Sequence, residues 1–249
     1  MPASGSSPQF TPEELTNIAT FATDAARAQY HLYGLTAGEE HVVRRCFTRP
    51  HARLLDIGCG YGRTTVPLHQ MGYRVVGLDI VERMIVEARK SHPEVAWALT
   101  SATDLAAADA SVEYVFFSAN GIDCISPLPR RDRALREIYR VLRPGGCFVY
   151  SAHNWLAQVV TAWRNATRRE HLWLNIRRGR LGPGYLRVPQ AEGELILYYG
   201  TPAGEIRRLN RAGFRDISLH SGKMSRRFHG RGRWASYLFD AWPYYVAYR

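Results

Sequence analysis

The chain has 249 residues, 46% of them apolar and 22% charged, which is the balance of an ordinary globular protein with one large core. No apolar run approaches the ~18 residues of a membrane span, and the N-terminus lacks a basic segment followed by an apolar one, so neither a transmembrane helix nor a secretory signal is expected and the location read is cytoplasmic. The net charge of +11 is uneven: residues 1–160 carry 16 Lys+Arg against 16 Asp+Glu, and residues 161–249 carry 17 against 6. Such asymmetry draws anions to one face. Cys46, Cys59, Cys124 and Cys147 form no C-x-x-C pair and read as reduced thiols.

Residues 1–10 read as a disordered tail. Thr11-Pro12-Glu13-Glu14 is a capping box with proline in the first turn, opening a helix that the pattern carries to about Tyr30. Thr36-Ala37-Gly38-Glu39 is a second box, starting a helix to about Phe47. Arg53–Ile57 is a buried strand, followed by a glycine turn and a helix to about Met71. Arg74–Leu78 is a strand, Val81–Ser91 a helix, Val95–Leu99 and Glu113–Ser118 strands. Arg130–Leu142 is a helix stopped by Pro144-Gly145-Gly146, and Cys147–Ser151 is the next strand. Strands alternating with helices of about ten residues predict a doubly wound, mostly parallel α/β sheet.

After His153 the rhythm breaks. Asn154–Gly193 reads as a basic insertion, helical near its start because Leu156, Val159, Val160 and Trp163 share a face. Leu195–Tyr199 is a strand, Thr201-Pro202 caps a helix to about Ala212, and Phe214–His220 and Tyr244–Tyr248 are the last strands. The expected organisation is a single domain over 1–249. Helices over 11–48 precede a core over 49–153, then come the insertion over 154–193 and C-terminal strands and a helix over 194–249.

The most informative segment is Leu54-Leu55-Asp56-Ile57-Gly58-Cys59-Gly60-Tyr61-Gly62-Arg63. A strand runs into three alternating glycines and then a helix, which lets backbone approach a ligand at a positive helix end. Arg63 stands where a dinucleotide loop places a third small residue, so a nicotinamide cofactor fits poorly. Asp79, ending the next strand, suits a ribose diol, because a carboxylate accepts from both hydroxyls.

Asp56-Ile57-Gly58-Cys59-Gly60-Tyr61-Gly62, Gly77-Leu78-Asp79-Ile80 with Met84-Ile85, and Leu135–Gly146 together resemble the class I S-adenosylmethionine-dependent methyltransferases. The resemblance runs from about Thr36 to Asn154 and resumes weakly at Tyr198–Phe214 and Pro243–Tyr248. It implies a seven-stranded Rossmann-like sheet, an N-terminal helical lid and an insertion after the fifth strand. It also implies S-adenosylmethionine as cofactor and S-adenosylhomocysteine as product. Asp56, Gly58, Cys59 and Gly60 would hold the methionine end, Asp79 the ribose, and Ile80 the adenine face. Ser101 and Ala102 stand where the family often has Asp-Ala at the adenine edge. Ser118 and Ala119 would offer carbonyls to the ammonium group. Tyr30 and Tyr33 would close a lid or simply pack; Tyr198 and Tyr199 read similarly.

Methyl transfer from a sulfonium requires alignment and exclusion of water, and a base only where the acceptor must lose a proton. His153, at the carboxyl edge of the sheet, is the candidate base; the alternative is a histidine bonding backbone at a strand end. Asn120 and Asp123 would orient an acceptor, or serve turn chemistry. Asp123, His153 and Asn154 could hold a divalent ion, but no His/Cys cluster supports one, and no metal is expected. The arginines Arg164, Arg168, Arg169, Arg177, Arg178, Arg180 and Arg187, and the stretch Lys223–Arg233, read either as a solvated surface or as a site for anions. The acceptor classes this leaves open are an acidic or phosphorylated small molecule, an acidic carrier protein presenting one, and RNA. A small-molecule acceptor leads, with an RNA methyltransferase and a non-catalytic cofactor-binding scaffold as alternatives. Oligomeric state is not readable.

Overall fold

The computed structural model describes residues 10–30, 34–162, 166–177, 183–221 and 240–249. The expected tail over 1–9, Tyr33, Trp163, Arg164, Arg178, Arg180 and the basic stretch Lys223–Arg233 lie outside the described residues.

Strands β1 (Arg53–Ile57), β2 (Arg74–Asp79), β3 (Ala96–Leu99), β4 (Val112–Phe117), β5 (Leu142–Ser151), β9 (Arg215–His220) and β10 (Tyr244–Tyr248) form one seven-stranded sheet in the order β3-β2-β1-β4-β5-β10-β9. The first five are parallel, while β10 runs antiparallel to both β5 and β9. The predicted doubly wound sheet is therefore present. Chain order reverses between β1 and β4, which opens a crevice at their carboxyl ends, the place where such sheets bind ligands.

The strands are apolar on both sides because both faces are covered. Alternation sends Leu55, Ile57 and Leu78 to one face, with Leu135 and Ile138 of α6 (Leu128–Val141) and Leu209 of α9 (Pro202–Ala212). Leu54 and Val75 go to the other, with Val42 and Val43 of α3 (Ala37–Cys46), Leu68 of α4 (Thr65–Gln70) and Ile85 of α5 (Glu82–Ser91). Each fully buried aliphatic side chain contributes roughly 1.5–3 kcal/mol. Helix α6 ends at Val141, and Leu142 already pairs with Val112. The strand thus runs through Pro144-Gly145-Gly146 instead of starting after it.

Both capping boxes form, at Thr11/Glu14 and Thr36/Glu39. The first predicted helix is two: α1 (Pro12–Phe21) and α2 (Asp24–Tyr30). The break has a local cause, since the Thr23 hydroxyl donates to the Thr20 carbonyl at 2.9 Å and accepts from Ala26 N at 3.2 Å, ending one helix and capping the next.

The region after β5 builds a second layer. β6 (His153–Asn154) leads to α7 (Trp155–Ala162) and α8 (Ala166–Arg177), and β7 (Gly184–Pro189) pairs antiparallel with β8 (Glu194–Gly200). The sheet order is β6-β8-β7, so the strand foreseen at Leu195–Tyr199 belongs to this smaller sheet. The insertion boundary placed at 193 falls in the β7–β8 turn. The helix over 155–162 is present, but it buries Trp155, Ala157, Gln158 and Ala162, while Val159 is exposed. The predicted apolar face was rotated because Trp155 and the β7–β8 hairpin form the apolar cluster there.

Helix α1 is fastened to this layer. Asn17 donates to Ile196 O at 2.9 Å and accepts from Ile196 N at 2.7 Å, and Thr20 donates to Glu194 O at 2.8 Å.

Candidate active site

The glycine loop leaves β1 at the crevice. Gly58, Gly60 and Gly62 have φ of +65°, +55° and +93°. At Gly58 a Cβ would also lie 2.7 Å from the Phe117 ring, so the position needs glycine for two reasons. Asp79 ends β2 directly beside the loop. Its Oδ2 accepts from Gly60 N at 2.8 Å and its Oδ1 from Val81 N at 2.9 Å. Burial pushes its carboxyl up from the ordinary value against those backbone bonds. Each oxygen keeps a further lone pair for a ligand hydroxyl.

Asp56, at the end of β1, is buried. Its Oδ2 accepts from the hydroxyls of Thr64 at 2.7 Å and Thr65 at 2.6 Å, while Oδ1 has no partner. Burial raises its pKa to about 6 despite the two hydroxyls. An orphaned buried carboxylate oxygen beside the loop is an acceptor left for a cationic ligand group. Cys59 is buried, its thiol raised well above the ordinary value by burial. Ile80 packs with Tyr61, Val81 and Met84 in an apolar cluster that also takes in Ile18, Phe21, Ala22 and Tyr30 of α1–α2 and the turn between them. The N-terminal helices thus lie over the loop, and Arg27–Glu87 at 2.6 Å and Arg83–Ala22 O at 2.7 Å tie them to α5.

Ser101 and Ala102 are buried near the β3 end; the Ser101 hydroxyl is paired with Thr103 Oγ1 at 2.9 Å. The Ser118 hydroxyl donates to Glu39. Glu39 also accepts two bonds from Arg63, at 2.8 and 2.6 Å. Burial pushes the Glu39 carboxyl up, but the Arg63 bonds and charge outweigh it and hold the group below its ordinary value. So Arg63, read in the sequence only as a misfit for dinucleotides, clamps α3 to the loop. Ala119 and Asn120 both have positive φ, +51° and +57°, strain of a kind that clusters at ligand sites. Asn120 N donates to Ser151 Oγ at 2.9 Å, and Asn120 Oδ1 is buried and unpaired.

His153 and Asp123 are brought together. Asp123 Oδ2 accepts from His153 N at 2.6 Å and meets His153 Nδ1 at 2.8 Å. Its Oδ1 accepts from Arg131 Nη1 at 2.6 Å, and Arg131 Nη2 donates to Glu205 Oε2 at 2.8 Å. Asp123 and Arg131 are fully buried. Asp123, expected from the sequence to orient an acceptor or to serve turn chemistry, is fully buried, and only His153 of the pair reaches solvent, with 13% of its side chain exposed. Arg131 and Glu205 were missed, though both occupy the apolar stripes of their helices. Among the described residues no cluster of three His, Cys, Asp or Glu has metal-binding geometry. Nor is any helix there long and apolar enough to cross a membrane.

The residues present fit S-adenosylmethionine: an acidic side chain, Asp79, at the end of β2 beside the loop, positive-φ glycines, an unpaired carboxylate oxygen at Asp56, and an apolar cover. Comparison with known proteins agrees. Residues 54–146 match the family described as "Methyltransferase domain". The malonyl-[acyl-carrier protein] O-methyltransferase of Enterobacter lignolyticus (strain SCF1) is 27% identical over 212 residues, 84% of this chain and 82% of that protein. The demethylmenaquinone methyltransferase of Beutenbergia cavernae is 33% identical over 140 residues, 53% of this chain and 56% of that one. In most such alignments the chain spans about half the length of the curated relative or less. A SAM-dependent methyltransferase from Methanosarcina mazei shares the fold, with a TM-score of 0.63, 18% identity, and coverage of 83% of this chain and 96% of that one. Residues 54–146 thus carry the methyltransferase-domain match, in a chain whose motifs and sheet order are those of the Rossmann-like class I S-adenosylmethionine-dependent methyltransferase fold.

Proposed function

We propose that this protein transfers the methyl group of S-adenosylmethionine to an oxygen or nitrogen of a small-molecule acceptor in the cytoplasm. The observation that carries the reading is the junction of Asp79 with Gly60 at 2.8 Å, which sets a carboxylate against the glycine loop where a ribose would lie. Relatives whose names specify a malonyl-carrier O-methyltransferase and a demethylmenaquinone methyltransferase support a small-molecule acceptor. The positive charge of residues 161–249 favours an acidic or phosphorylated one.

When bound, the cofactor supplies an electrophilic methyl whose C–S electron pair returns to sulfur as the new bond forms. Asp79 would bind its ribose hydroxyls, Asp56 and the loop backbone its methionine end, and Ile80 with the Tyr30 region of the lid its apolar face. Ser118 and Ala119 would offer carbonyls to its ammonium group, and Ser101 and Ala102 would flank its adenine. The lid over Tyr61 and Met84 would exclude water. His153 would take the acceptor's proton, with Asp123 holding the imidazole in orientation. Asn120 lies in the positive-φ turn after β4 and would position the acceptor.

The test is transfer of labelled methyl from S-adenosylmethionine into fractions of a cell extract, with Asp79→Ala as control. Label in a small-molecule fraction, lost in the variant, is the expected result. Label in RNA would overturn the acceptor class, and absence of label despite cofactor binding would favour a scaffold.

A further inference from the structure

His153 contacts two aromatic rings. Tyr199 of β8 packs on it with ring centroids 4.5 Å apart and planes inclined at 36°, and Trp242 meets it edge to face at 6.4 Å and 88°. Tyr199 is buried, whereas Trp242 is 54% exposed. The backbone carrying Trp242 is fixed. Ala241 O accepts from Asn154 N at 3.0 Å, Asp240 O from Asn154 Nδ2 at 3.0 Å, and Pro243 O from Ala152 N at 3.4 Å. An indole held this way and left open offers a rigid apolar wall at low ordering cost to a ligand.

The imidazole is equally constrained. With Nδ1–H directed to Asp123 at 2.8 Å, Nε2 carries the lone pair, and it makes no hydrogen bond among the described residues. Arg131 fixes Asp123 in turn, at 2.6 Å. The result is one proton-accepting atom beside a flat aromatic wall.

We propose that His153, Tyr199 and Trp242 form the acceptor subsite and that it takes a planar aromatic hydroxyl compound, a phenol, whose O–H bonds to His153 Nε2. The inference rests on the methyltransferase reading above and names its substrate class. The phenol ring lies against Trp242, its proton passes to Nε2, and the oxygen keeps the bonding pair. Asp123 stabilises the imidazolium so formed and is a positioning residue. An aliphatic alcohol lacks the face to stack and is a far weaker acid.

The experiment titrates para-nitrophenol into protein saturated with S-adenosylhomocysteine, reading affinity and, from the yellow band, the ionised fraction of bound ligand as pH is varied. The expected result is binding that cyclohexanol does not displace, weakened about tenfold by Trp242→Ala and largely kept by Trp242→Phe. Bound ligand should be more ionised than free ligand at the same pH. His153→Asn should abolish that excess with little change in affinity, and Asp123→Asn should move its pH midpoint. Undiminished affinity in Trp242→Ala, displacement by cyclohexanol, unchanged ionisation in His153→Asn, or failure to bind would each overturn the proposal. The melting shift caused by S-adenosylhomocysteine is read on every variant. No shift in the unaltered protein would overturn the methyltransferase reading instead, and the nitrophenol arms then judge the subsite by themselves.

Discussion

Arg131→Met removes the guanidinium from the buried chain His153–Asp123–Arg131–Glu205, at whose end the Tyr150 hydroxyl donates to Glu205 Oε2 at 3.1 Å. The guanidinium is fully buried, bonds Asp123 at 2.6 Å, Glu205 at 2.8 Å and the Ile122 carbonyl at 2.7 Å, and lies 5.1 Å from the Tyr198 ring centroid. Methionine restores most of the volume, so the loss is electrostatic: two carboxylates stay in the core with no cation between them. Breaking one side of a buried pair costs about 3–5 kcal/mol, and two stranded acids put the expectation at the upper end of that range. Against the roughly 5–15 kcal/mol that holds a typical domain together, such a loss leaves little margin. Urea unfolding at neutral pH measures it. Adding Glu205→Gln should recover part of the loss, because one stranded charge is then neutral, and the double-mutant cycle gives the coupling directly. A loss below about 1 kcal/mol, or no recovery in the double variant, would refute the view that charge compensation, not packing, makes this arginine necessary.

Asp79→Ala should abolish the melting shift that S-adenosylhomocysteine gives the unaltered protein, a stabilisation of about 2.7 kcal/mol at 100 times the dissociation constant. An unchanged shift would remove Asp79 from the cofactor site. Asp56 is raised from 3.8 to about 6 mainly by burial, so its contribution is present in full below the unfolded value and is lost as pH rises through about 6. Relative to Asp56→Asn, the protein without ligand should therefore lose up to about 3 kcal/mol of stability between pH 4 and 7, read by urea unfolding at each pH; a flat difference would contradict it. Gly58→Ala should destabilise by about 1–2 kcal/mol for the left-handed backbone alone. Phe117→Leu should then relieve the contact with the added methyl but not the backbone term, which a melting series on the single and double variants distinguishes.

The sequence was most readable where structure is local. Both capping boxes, the glycine loop, and Asp79 at the end of β2 follow from a few adjacent residues, and each stands in the structure as expected. In the small sheet β8 was readable, as the strand foreseen at Leu195–Tyr199, but β6 was not, because it is two residues long and becomes a strand only by pairing with β8 across more than forty intervening residues. The break between α1 and α2 was concealed by an unbroken helical composition, and a single threonine hydroxyl decides it. Arg131 could have been found. It falls in register with Ala134, Leu135, Ile138 and Val141 on the buried face of α6, and Glu205 with Leu209 on α9. A charge on an apolar stripe calls for an opposite charge on the facing stripe, and each helix holds the other's partner.

The stitching of α1 to β8 through Asn17 and Thr20 makes the beginning of the chain and its second layer a single mechanical part. That part also packs on the glycine-loop region, because Ile18, Phe21 and Ala22 meet Tyr61, Ile80 and Met84. For anyone transplanting the segment after β5 onto another core to change its acceptor, the graft is incomplete without the first helix. Left behind, that helix would strip Ile196 of both its side-chain partners and uncover one side of the hairpin. The unit that such an exchange should swap is discontinuous in the chain and continuous in space.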